Sequence, residues 1–362
     1  YQSGNPTVFN TKQVDFDGVD DFMQISPLGL TGTFTYSFWY KGYENTDFLA
    51  GDSTTDRKIG FLSSKYFIRL NVDGDNSVAL GTLDWNHLVV TRDSANKVDI
   101  YVNGGSANRL FSDAAQASTV NLDYIGKTNS GQNYDGQLSQ VGLWNSTLTA
   151  DEVSSLYNHG LPVDLNTNQA AYESSSNLVG YWRMGSGTLD TYPLIADQTN
   201  ATLGSELSPN TNFTSNITGW SSYNSGTASW NSFNGGSMQL VNDGTNNWFG
   251  RSTNNFSLST NCTYIVTAKV YLTSGYTGGD FYIYSAGSFS GATEYIVKAD
   301  KDTKEEWQDI RYTFTTASDV SGRLYFRNDS PNSSSGATVY VDDISVKKVQ
   351  GNPAIMTNMT AS

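Results

Sequence analysis

Tyrosines on one face of two predicted strands are the side chains of this sequence best suited to bind a ligand. In FYIYS, the residues Tyr282 and Tyr284 fall on one face of a strand, opposite Phe281 and Ile283. Tyr325 has a comparable position in RLYFRN, between two arginines of the same face. Tyrosine rings can stack on the C–H faces of pyranose sugars, so this pattern favours carbohydrate recognition.

Charged and amide side chains accompany these aromatics. Trp248 and Arg251 lie in NNWFGR, which we predict to be a loop that closes one end of a groove, and Arg327 shares the face of Tyr325. Guanidinium and amide groups donate hydrogen bonds to sugar hydroxyls. The alternative is that the exposed tyrosines only decorate a sheet. The predicted carbohydrate-binding residues are Trp248, Arg251, Tyr282, Tyr284, Tyr325 and Arg327.

Catalytic residues are not evident in the sequence. Glycoside hydrolysis uses two carboxylates placed about the scissile bond, but no E-x-D-x-x-E pattern occurs. Asp15 and Asp17 alternate, yet they run directly into a glycine turn. The two histidines, His87 and His159, fall at a strand start and a helix end, and packing explains His87 better than catalysis does. No nucleophile elbow, phosphate loop or metal-spaced histidine pair appears, so we predict that the protein is not an enzyme.

Oxygen ligands for calcium occur in two places. Asp17, Asp20 and Asp21 cluster in one turn, and Asp342 and Asp343 are predicted to begin the last strand of the second half. Calcium takes carboxylate and carbonyl oxygens from loops. Acidic turns are commonly just solvated, so that alternative stays open for both clusters.

The composition limits the classes of partner. The chain of 362 residues has a net charge of −14, which excludes nucleic acid and anionic membranes as partners because either would need a basic face. No apolar run approaches the roughly 20 residues that span a bilayer. The content of 22 Tyr, 17 Phe and 8 Trp predicts a folded chain, and the length predicts two domains.

Short strands separated by turns fill the first half. In FTYSFWY, residues 34–40, four aromatics alternate on one face and Trp39 lies on the other. Thr149 and Glu152 form a capping box that opens a short helix, which ends at Gly160. Many strands followed by one helix predict an antiparallel β-sandwich over residues 8–160, with the helix closing an open end.

Four phrases of this half resemble the concanavalin A-like, laminin-G-type jelly-roll family. They are VDFDGVDDFMQI, FTYSFWYKG, WNHLVVTRDSANKVDIYVNG and DGQLSQVGLWNSTLTADEV, and their order and spacing match over about 150 residues. The resemblance implies two curved sheets of six or seven strands each and a role in binding glycans or proteins. It implies no particular ligand, because one fold serves many functions.

A second set of strands follows from residue 206. The phrases ELSPNTNFTSNITGW, CTYIVTAKVYL, EEWQDIRYTFT and ATVYVDDISVKKV resemble the jelly-roll carbohydrate-binding modules attached to xylanases and glucanases, over residues 206–348. The predicted strands are Ser237–Val241, Thr263–Leu272, Asp280–Tyr284, Trp307–Thr315, Arg323–Asn328 and Thr338–Val346.

This second resemblance implies a structural calcium ion between the first and last strands, with Asp342 and Asp343 as ligands. Members of the family commonly have an acidic residue after the aromatic residue of the first strand, whereas here Phe213 is followed by Thr214. We therefore expect weak, partly occupied or absent calcium binding.

The sequence thus predicts an all-β protein of two antiparallel jelly-roll sandwiches with one short helix. Residues 161–205 form the connector, whose apolar stretch from Leu178 to Trp182 is expected to lie against a sandwich. Residues 349–362 form a polar tail that continues in a longer chain. Phrases such as NLVGYWRMGSGT and LGSEL resemble surface or appendage proteins of marine bacteriophages. That resemblance implies a non-catalytic, extracellular virion protein with host polysaccharide, other virion proteins or copies of itself as partners. The alternative is a bacterial secreted adhesin or the binding arm of a polysaccharide-degrading enzyme.

Overall fold

A computed structural model describes residues 12–44, 46–71, 78–111, 118–287, 298–317, 321–329 and 337–359, and the chain divides into two units. Unit 1 consists of the chain up to Thr202 together with the residues from Gln350 onward. Unit 2 is the intervening segment, Leu203–Val349. Residues 8–11 of the predicted first domain and 360–362 of the predicted tail lie outside the described part.

The described residues are organised almost entirely by antiparallel strands, which confirms the all-β prediction. One α-helix, α1 (Ala150–Tyr157), and short 3₁₀ turns at Asn158–Gly160, Ser175–Asn177 and Phe233–Gly235 accompany them. The strands are, in chain order, β1 (Val14–Asp17), β2 (Phe22–Gln24), β3 (Phe34–Lys41), β4 (Phe48–Gly51), β5 (Lys58–Leu62), β6 (Lys65–Arg69), β7 (Asn86–Arg92), β8 (Val98–Val102), β9 (Asn108–Phe111), β10 (Tyr124–Ile125), β11 (Asp135–Trp144), β12 (Leu178–Trp182), β13 (Leu194–Ile195), β14 (Leu203–Glu206), β15 (Trp220–Ser222), β16 (Thr227–Asn231), β17 (Ser237–Asn242), β18 (Trp248–Ser252), β19 (Phe256–Ser257), β20 (Thr263–Leu272), β21 (Phe281–Gly287), β22 (Trp307–Thr315), β23 (Ser321–Asn328), β24 (Ala337–Val349) and β25 (Ala354–Thr357).

Unit 1 contains two seven-stranded sheets. The first has the order β1-β11-β3-β7-β8-β9, with β12 also paired to β11, and the second has the order β13-β25-β2-β10-β4-β5-β6. One core cluster includes side chains of both sheets, among them Phe34, Tyr36, Phe38 and Tyr40 of β3. The alternation in FTYSFWY therefore sends these four aromatics to the core between the sheets.

A second apolar cluster covers the other face of the first sheet. Leu88 and Val90 belong to the core between the sheets, so Val89 must point away from it, and Val89 packs in a cluster with Leu156 of α1. The helix therefore lies against a face of the first sheet. The prediction that it closes an open end of the sandwich is wrong. The same cluster takes Val163, Leu165, Tyr172, Leu178 and Tyr181 from the predicted connector.

The connector prediction for 161–205 therefore differs from the structure. Most of this segment is part of unit 1 because its apolar side chains complete the layer over the first sheet. Buried polar contacts fix it there. The Trp144 indole Nε1 donates to the Tyr172 hydroxyl at 2.9 Å, and Gln140 Nε2 donates to the Tyr181 hydroxyl at 2.9 Å.

The capping box of α1 is present as predicted. The Thr149 backbone N–H donates to Glu152 Oε2 at 2.9 Å, and the Glu152 N–H donates to Thr149 Oγ1 at 3.3 Å. Glu152 Oε1 also accepts from the Glu173 N–H, which joins the helix to the following segment. The left-handed turn at the C-terminus begins at Asn158, with φ of 42°, two residues before the predicted Gly160.

The last described strand returns to unit 1. β25 lies between β13 and β2, with Met356 opposite Met23 and Ile355 opposite Leu194. Ala354 and Met356 belong to the core between the two sheets. Residues 349–362 are thus not a free polar tail, because an alternating apolar strand within them, AIMT, completes a sheet. Unit 2 is an insertion in unit 1.

Unit 2 is a smaller sandwich of two antiparallel sheets. One has the order β16-β17-β24-β20-β22, with β14 paired to β24, and the other has the order β15-β18-β23-β19, with β21 paired to β23. A single cluster of buried side chains from both sheets forms its core, including Val266, Val270, Ile283, Phe326 and Val341. The opposite face of each sheet is therefore available to position functional side chains.

His87 lies in unit 1 in a packing position. Its ring stacks on Trp39 at 4.9 Å and its Nε2 lies 2.8 Å from Ser37 Oγ, while Nδ1 is buried without a hydrogen-bond partner among the described residues. Burial lowers the pKa of His87 from 6.5 to about 3. The imidazole is therefore neutral in the folded protein at ordinary pH.

This burial predicts a pH dependence of the stability of unit 1. Below pH 6.5 the unfolded chain binds a proton at His87 that the folded protein does not, so stability falls as the pH falls toward 3. Between pH 6 and pH 5 we expect the loss to be about 1 kcal/mol greater in the wild type than in His87→Gln. Denaturant titrations of both proteins measure this difference. Equal losses would mean that the folded protein accepts the proton.

Candidate functional site

An aromatic and arginine surface lies on the sheet of unit 2 that contains β18, β21 and β23. It consists of all six predicted carbohydrate-binding residues and one further tyrosine: Tyr223, Trp248, Arg251, Tyr282, Tyr284, Tyr325 and Arg327. We call these seven residues the aromatic surface. In β21, the neighbours Phe281 and Ile283 are fully buried, so Tyr282 and Tyr284 point to the side away from the core.

Strand register brings these side chains together. Arg327 of β23 lies opposite both Trp248 of β18 and Tyr282 of β21. Tyr325 lies opposite both Arg251 of β18 and Tyr284 of β21. Directly opposed residues of neighbouring strands point to the same face, so two adjacent rows cross three strands.

Trp248 is the centre of the surface. Its ring lies 5.6 Å from Tyr223, 5.4 Å from Tyr325 and 5.8 Å from Tyr284, each in an edge-to-face arrangement. Tyr223 in turn lies 4.8 Å from Tyr325. Edge-to-face pairs hold the rings in fixed orientations, so the cluster presents a rigid apolar platform with polar hydroxyl tips.

Both arginines lie over rings of this platform. The Arg327 guanidinium is 4.6 Å from the centre of Trp248 and 5.3 Å from those of Tyr282 and Tyr284. The Arg251 guanidinium is 4.7 Å from the centre of Tyr223. Such cation–π contacts orient the guanidinium groups and leave their N–H donors in the plane of the group.

Two details differ from the sequence prediction. Trp248 begins strand β18 and does not lie in a loop, because the turn is formed by the asparagines before it. The Trp248 N–H donates to Asn246 Oδ1 at 2.8 Å, and Asn242 Nδ2 donates to the Trp248 carbonyl at 3.0 Å. Tyr282 is only 8% exposed. Burial raises its pKa, although the Arg327 charge opposes this effect. Tyr282 is therefore a support of the surface and Trp248 its centre.

Tyr223 is the member of the surface that sequence reasoning missed. It follows β15, a strand of three residues, in the polar stretch SSYNSG. A strand this short has no measurable alternation, so its face could not be assigned from the sequence. Only the pairing of β15 with β18 brings Tyr223 beside Trp248.

Four further aromatics, three on the other sheet of unit 2 and one in a turn beside it, are not among the predicted site residues. Phe233, in a 3₁₀ turn, stacks on Tyr340 at 4.2 Å, and Tyr271 lies 5.6 Å from Trp307. Tyr271 is opposite Tyr340 on one side and Trp307 on the other. This cluster also contains tryptophan and tyrosine rings, and among the described residues the cation–π contacts of Arg251 and Arg327 do not extend to it. It therefore provides matched control positions for mutagenesis.

Asp342 and Asp343, the predicted calcium ligands, lie within the long strand β24 and not at its start. The strand is irregular there: Asp343 has φ of 51°, and the register with β20 shifts between Thr267 and Lys269. Asp343 Oδ2 is 3.7 Å from Lys269 Nζ, and burial raises the pKa of Asp342. Within the described part of the chain, neither carboxylate belongs to a group of three acidic, histidine or cysteine ligands.

The calcium site accordingly remains a prediction of weak or absent binding. We expect millimolar calcium, compared with EDTA, to raise the melting temperature of unit 2 by no more than about 2 °C, since stabilisation follows site occupancy. Thermal melts of the wild type and Asp342→Ala measure this. A rise of several degrees that disappears in Asp342→Ala would contradict the prediction and establish the site.

The other acidic cluster lies in the turn after β1 and is already engaged in hydrogen bonds. Asp17 Oδ1 accepts from the Val19 and Asp20 N–H groups, and Asp21 Oδ2 accepts from the Asp17 N–H at 3.2 Å. The ligand atoms of Asp17, Asp20 and Asp21 lie within 4.8 Å of one another. Hydrogen bonds of this kind are those of an ordinary acidic turn, so the geometry alone does not define a metal site.

A polar cleft of about 430 Å³ lies in unit 1, beside β12. Its lining includes Asp164, Asn166, Arg183 and Gln198. The amides are already engaged, since Asn166 Nδ2 donates to the Gln198 carbonyl and Gln198 Nε2 to the Thr188 carbonyl. Its one aromatic lining residue, Tyr181, is fully buried, so the cleft offers no ring face for stacking. The aromatic surface is the stronger candidate.

Two antiparallel sandwiches, one of which carries an aromatic sheet face, define the chain as a two-domain protein of lectin-like architecture. Residues 17–154 match the family described as the concanavalin A-like lectin/glucanases superfamily, and residues 205–334 match the family described as carbohydrate binding domain. The chain therefore contains a concanavalin A-like domain followed by a carbohydrate-binding domain. This confirms both family resemblances drawn from the sequence.

Solved structures to which parts of the chain are similar include two from different sources. The CBM22-1 xylan-binding domain of Xyn10C from Paenibacillus barcinonensis is 16% identical, with a TM-score of 0.34, over 42% of this chain and 99% of that one. The native heptameric SAP-like pentraxin of Limulus polyphemus is 15% identical, with a TM-score of 0.34, over 40% of this chain and 81% of that one. No curated protein matches the chain.

A search for membrane-spanning helices among the described residues finds no helix that is both long and apolar enough to cross a bilayer.

Proposed function

We propose that the protein is a non-catalytic glycan-binding protein and that the aromatic surface of unit 2 holds the polysaccharide. The observation that carries this proposal is the convergence of Trp248, Tyr284 and Tyr325 with two stacked arginines on one sheet face, within a domain that matches a carbohydrate-binding family. Sugar binding needs such rigid apolar rings beside hydrogen-bond donors.

The width of the aromatic surface favours a polysaccharide ligand over a single sugar. The rings are spread over the loop after β15 and over three strands, in which β23 is paired with β18 and with β21. Neighbouring strands lie about 4.8 Å apart, so the surface is wide enough to contact more than one pyranose ring. A polysaccharide that stacks on several rings at once gains binding free energy from each contact, so it can bind without a deep pocket.

The test is retardation of the full chain in native gels that contain dissolved polysaccharides, both neutral and acidic. We expect at least one polymer to slow the protein relative to a gel without polymer. The same polymers, incubated with the protein, should release no reducing ends above a boiled control. Absence of retardation by every polymer would overturn the proposal, and release of reducing ends would overturn its non-catalytic part.

The setting we propose is extracellular, on a virion surface or appendage, with other virion proteins or further copies of the chain as partners. The sequence phrases that resemble phage surface proteins support it. The alternative, a bacterial adhesin or the binding arm of a polysaccharide-degrading enzyme, is supported by the match to a carbohydrate-binding domain. The neighbouring genes discriminate between the two settings: capsid and tail genes favour the first, and glycoside hydrolase genes the second.

A further inference from the structure

The aromatic surface is locally cationic in a strongly acidic protein. The chain has 35 Asp and Glu against 21 Lys and Arg. Arg251 and Arg327 nevertheless both belong to the aromatic surface, and Arg323 lies two residues before Tyr325 on the same face of β23. Three arginines thus share one side of two neighbouring strands.

Carboxylates do not neutralise these arginines in the described part of the chain. None of the ion pairs between described residues involves Arg251, Arg323 or Arg327. The nearby Lys298, by contrast, pairs with Asp329 at 2.7 Å. The Nε atoms of Arg251 and Arg327 are buried without a hydrogen-bond partner, and Arg323 Nε donates to the neutral Asn255 amide.

A neutral sugar that covers an arginine without a carboxylate partner removes water from the charge and offers no opposite charge in return, which lowers the binding free energy. Amide and hydroxyl groups would supply the same hydrogen bonds to hydroxyls without this loss. Guanidinium groups differ in offering charge-assisted, often bidentate, bonds to carboxylate or sulfate oxygens. The rings beneath Arg251 and Arg327 already restrict both side chains, so binding an anion orders them little further.

We infer that the ligand of the aromatic surface is an acidic polysaccharide, one that carries carboxylate or sulfate groups along its chain. This inference rests on the proposed function and narrows it: the rings take the apolar faces of the sugars, and Arg251 and Arg327 take the anionic groups. The alternative is that both arginines only pack on the aromatic rings and contact no ligand.

The first experiment changes the ligand and leaves the protein intact. Native gels with the full chain would contain polygalacturonate or its fully methyl-esterified form, dextran sulfate or dextran, and a set of other acidic and neutral polymers. Each acidic polymer that retards the protein is then neutralised, by reduction of its carboxyl groups or by desulfation. We expect retardation by acidic polymers only, and at least a tenfold loss of affinity after neutralisation.

The second experiment changes the arginines. Arg251→Gln with Arg327→Gln should weaken binding to the acidic polymer about tenfold or more and reduce its dependence on salt. The control, Lys269→Gln with Lys348→Gln, removes the same charge from the other sheet and should leave binding within about twofold. Arg327→Lys, which keeps the charge, should give an intermediate affinity.

The outcomes separate the two proposals. Retardation by neutral polymers only, or an affinity unchanged by neutralising the polymer, would overturn the acidic ligand and leave glycan binding in place. Equal losses in the arginine and lysine variants would also overturn it, because net charge alone would then explain the binding. Retardation by no polymer would remove glycan binding itself. The comparison of acidic and neutralised polymers uses the unaltered protein, so it tests the acidic-ligand proposal even if an arginine variant fails to fold.

Discussion

Trp248→Ala is expected to weaken polysaccharide binding about tenfold, which makes it the most damaging single change in the aromatic surface. Trp248 contacts Tyr223, Tyr284, Tyr325 and Arg327, so its removal takes away one stacking ring and frees the others to move. Aromatic contacts contribute about 0.5–1.5 kcal/mol each, and 1.4 kcal/mol corresponds to a factor of ten. Affinity gel electrophoresis and a thermal melt of the same sample measure binding and stability together.

Trp307→Ala is the matched control. Trp307 is also a half-buried tryptophan in an aromatic cluster of unit 2, but it lies on the other sheet. Both variants should lower the melting temperature by similar amounts, and only Trp248→Ala should lose binding. If Trp307→Ala lost binding and Trp248→Ala kept it, the other sheet would be the ligand face and the proposed site would be wrong.

Removal of residues 350–362 is expected to destabilise unit 1 by about 4 kcal/mol or more, since it deletes β25 and the buried Met356 and Met359. The loss of the strand also leaves the ladder partners of β25, in β2 and β13, unpaired. For a unit of this size the melting temperature should fall by about 10 °C or more. Scanning calorimetry should show this change in the transition of unit 1, while the transition of unit 2 stays in place.

Two point variants control for the shortened chain. Met356→Asp places a carboxylate in the core of unit 1 and should reproduce most of the loss, because an unpaired buried charge is costly. Thr357→Asp, on the opposite and more exposed face of β25, should have little effect. If the truncated protein kept the unfolding transition of unit 1 at the wild-type temperature, β25 would contribute nothing to the stability of unit 1.

Long alternating strands were predictable from the sequence. The bounds of Thr263–Leu272 and Trp307–Thr315 agree with the structure at every position, and the alternate residues Val266, Ala268 and Val270 belong to the core as the sequence pattern predicts. The same reasoning placed Tyr282 and Tyr284 on one face of β21. The start of the helix was predictable for a similar reason, because its capping box is a local signal of two residues, Thr149 and Glu152, three positions apart.

Short strands and distant pairings were not predictable. Trp248 follows several asparagines that read as a loop, and a five-residue strand with a glycine at its centre has weak alternation. The return of β25 depends on pairing with β2, more than 300 residues earlier, which no local pattern encodes. In the segment 161–205, the continuous apolar stretch around Trp182 predicts packing against a sandwich, whereas isolated apolar residues between polar turns, such as Leu165 and Tyr172, give no such signal and pack only in the tertiary structure.

The insertion of unit 2 also fixes an order of events during synthesis. Residues 203–349 are contiguous, so unit 2 can fold as soon as they have left the ribosome. Unit 1 begins earlier, but the sheet edges of β2 and β13 that receive β25 stay open until the residues after 349 emerge. Open edges can pair with other chains, so unit 1 is exposed to such pairing during this interval. The unit that starts first is therefore the one completed last.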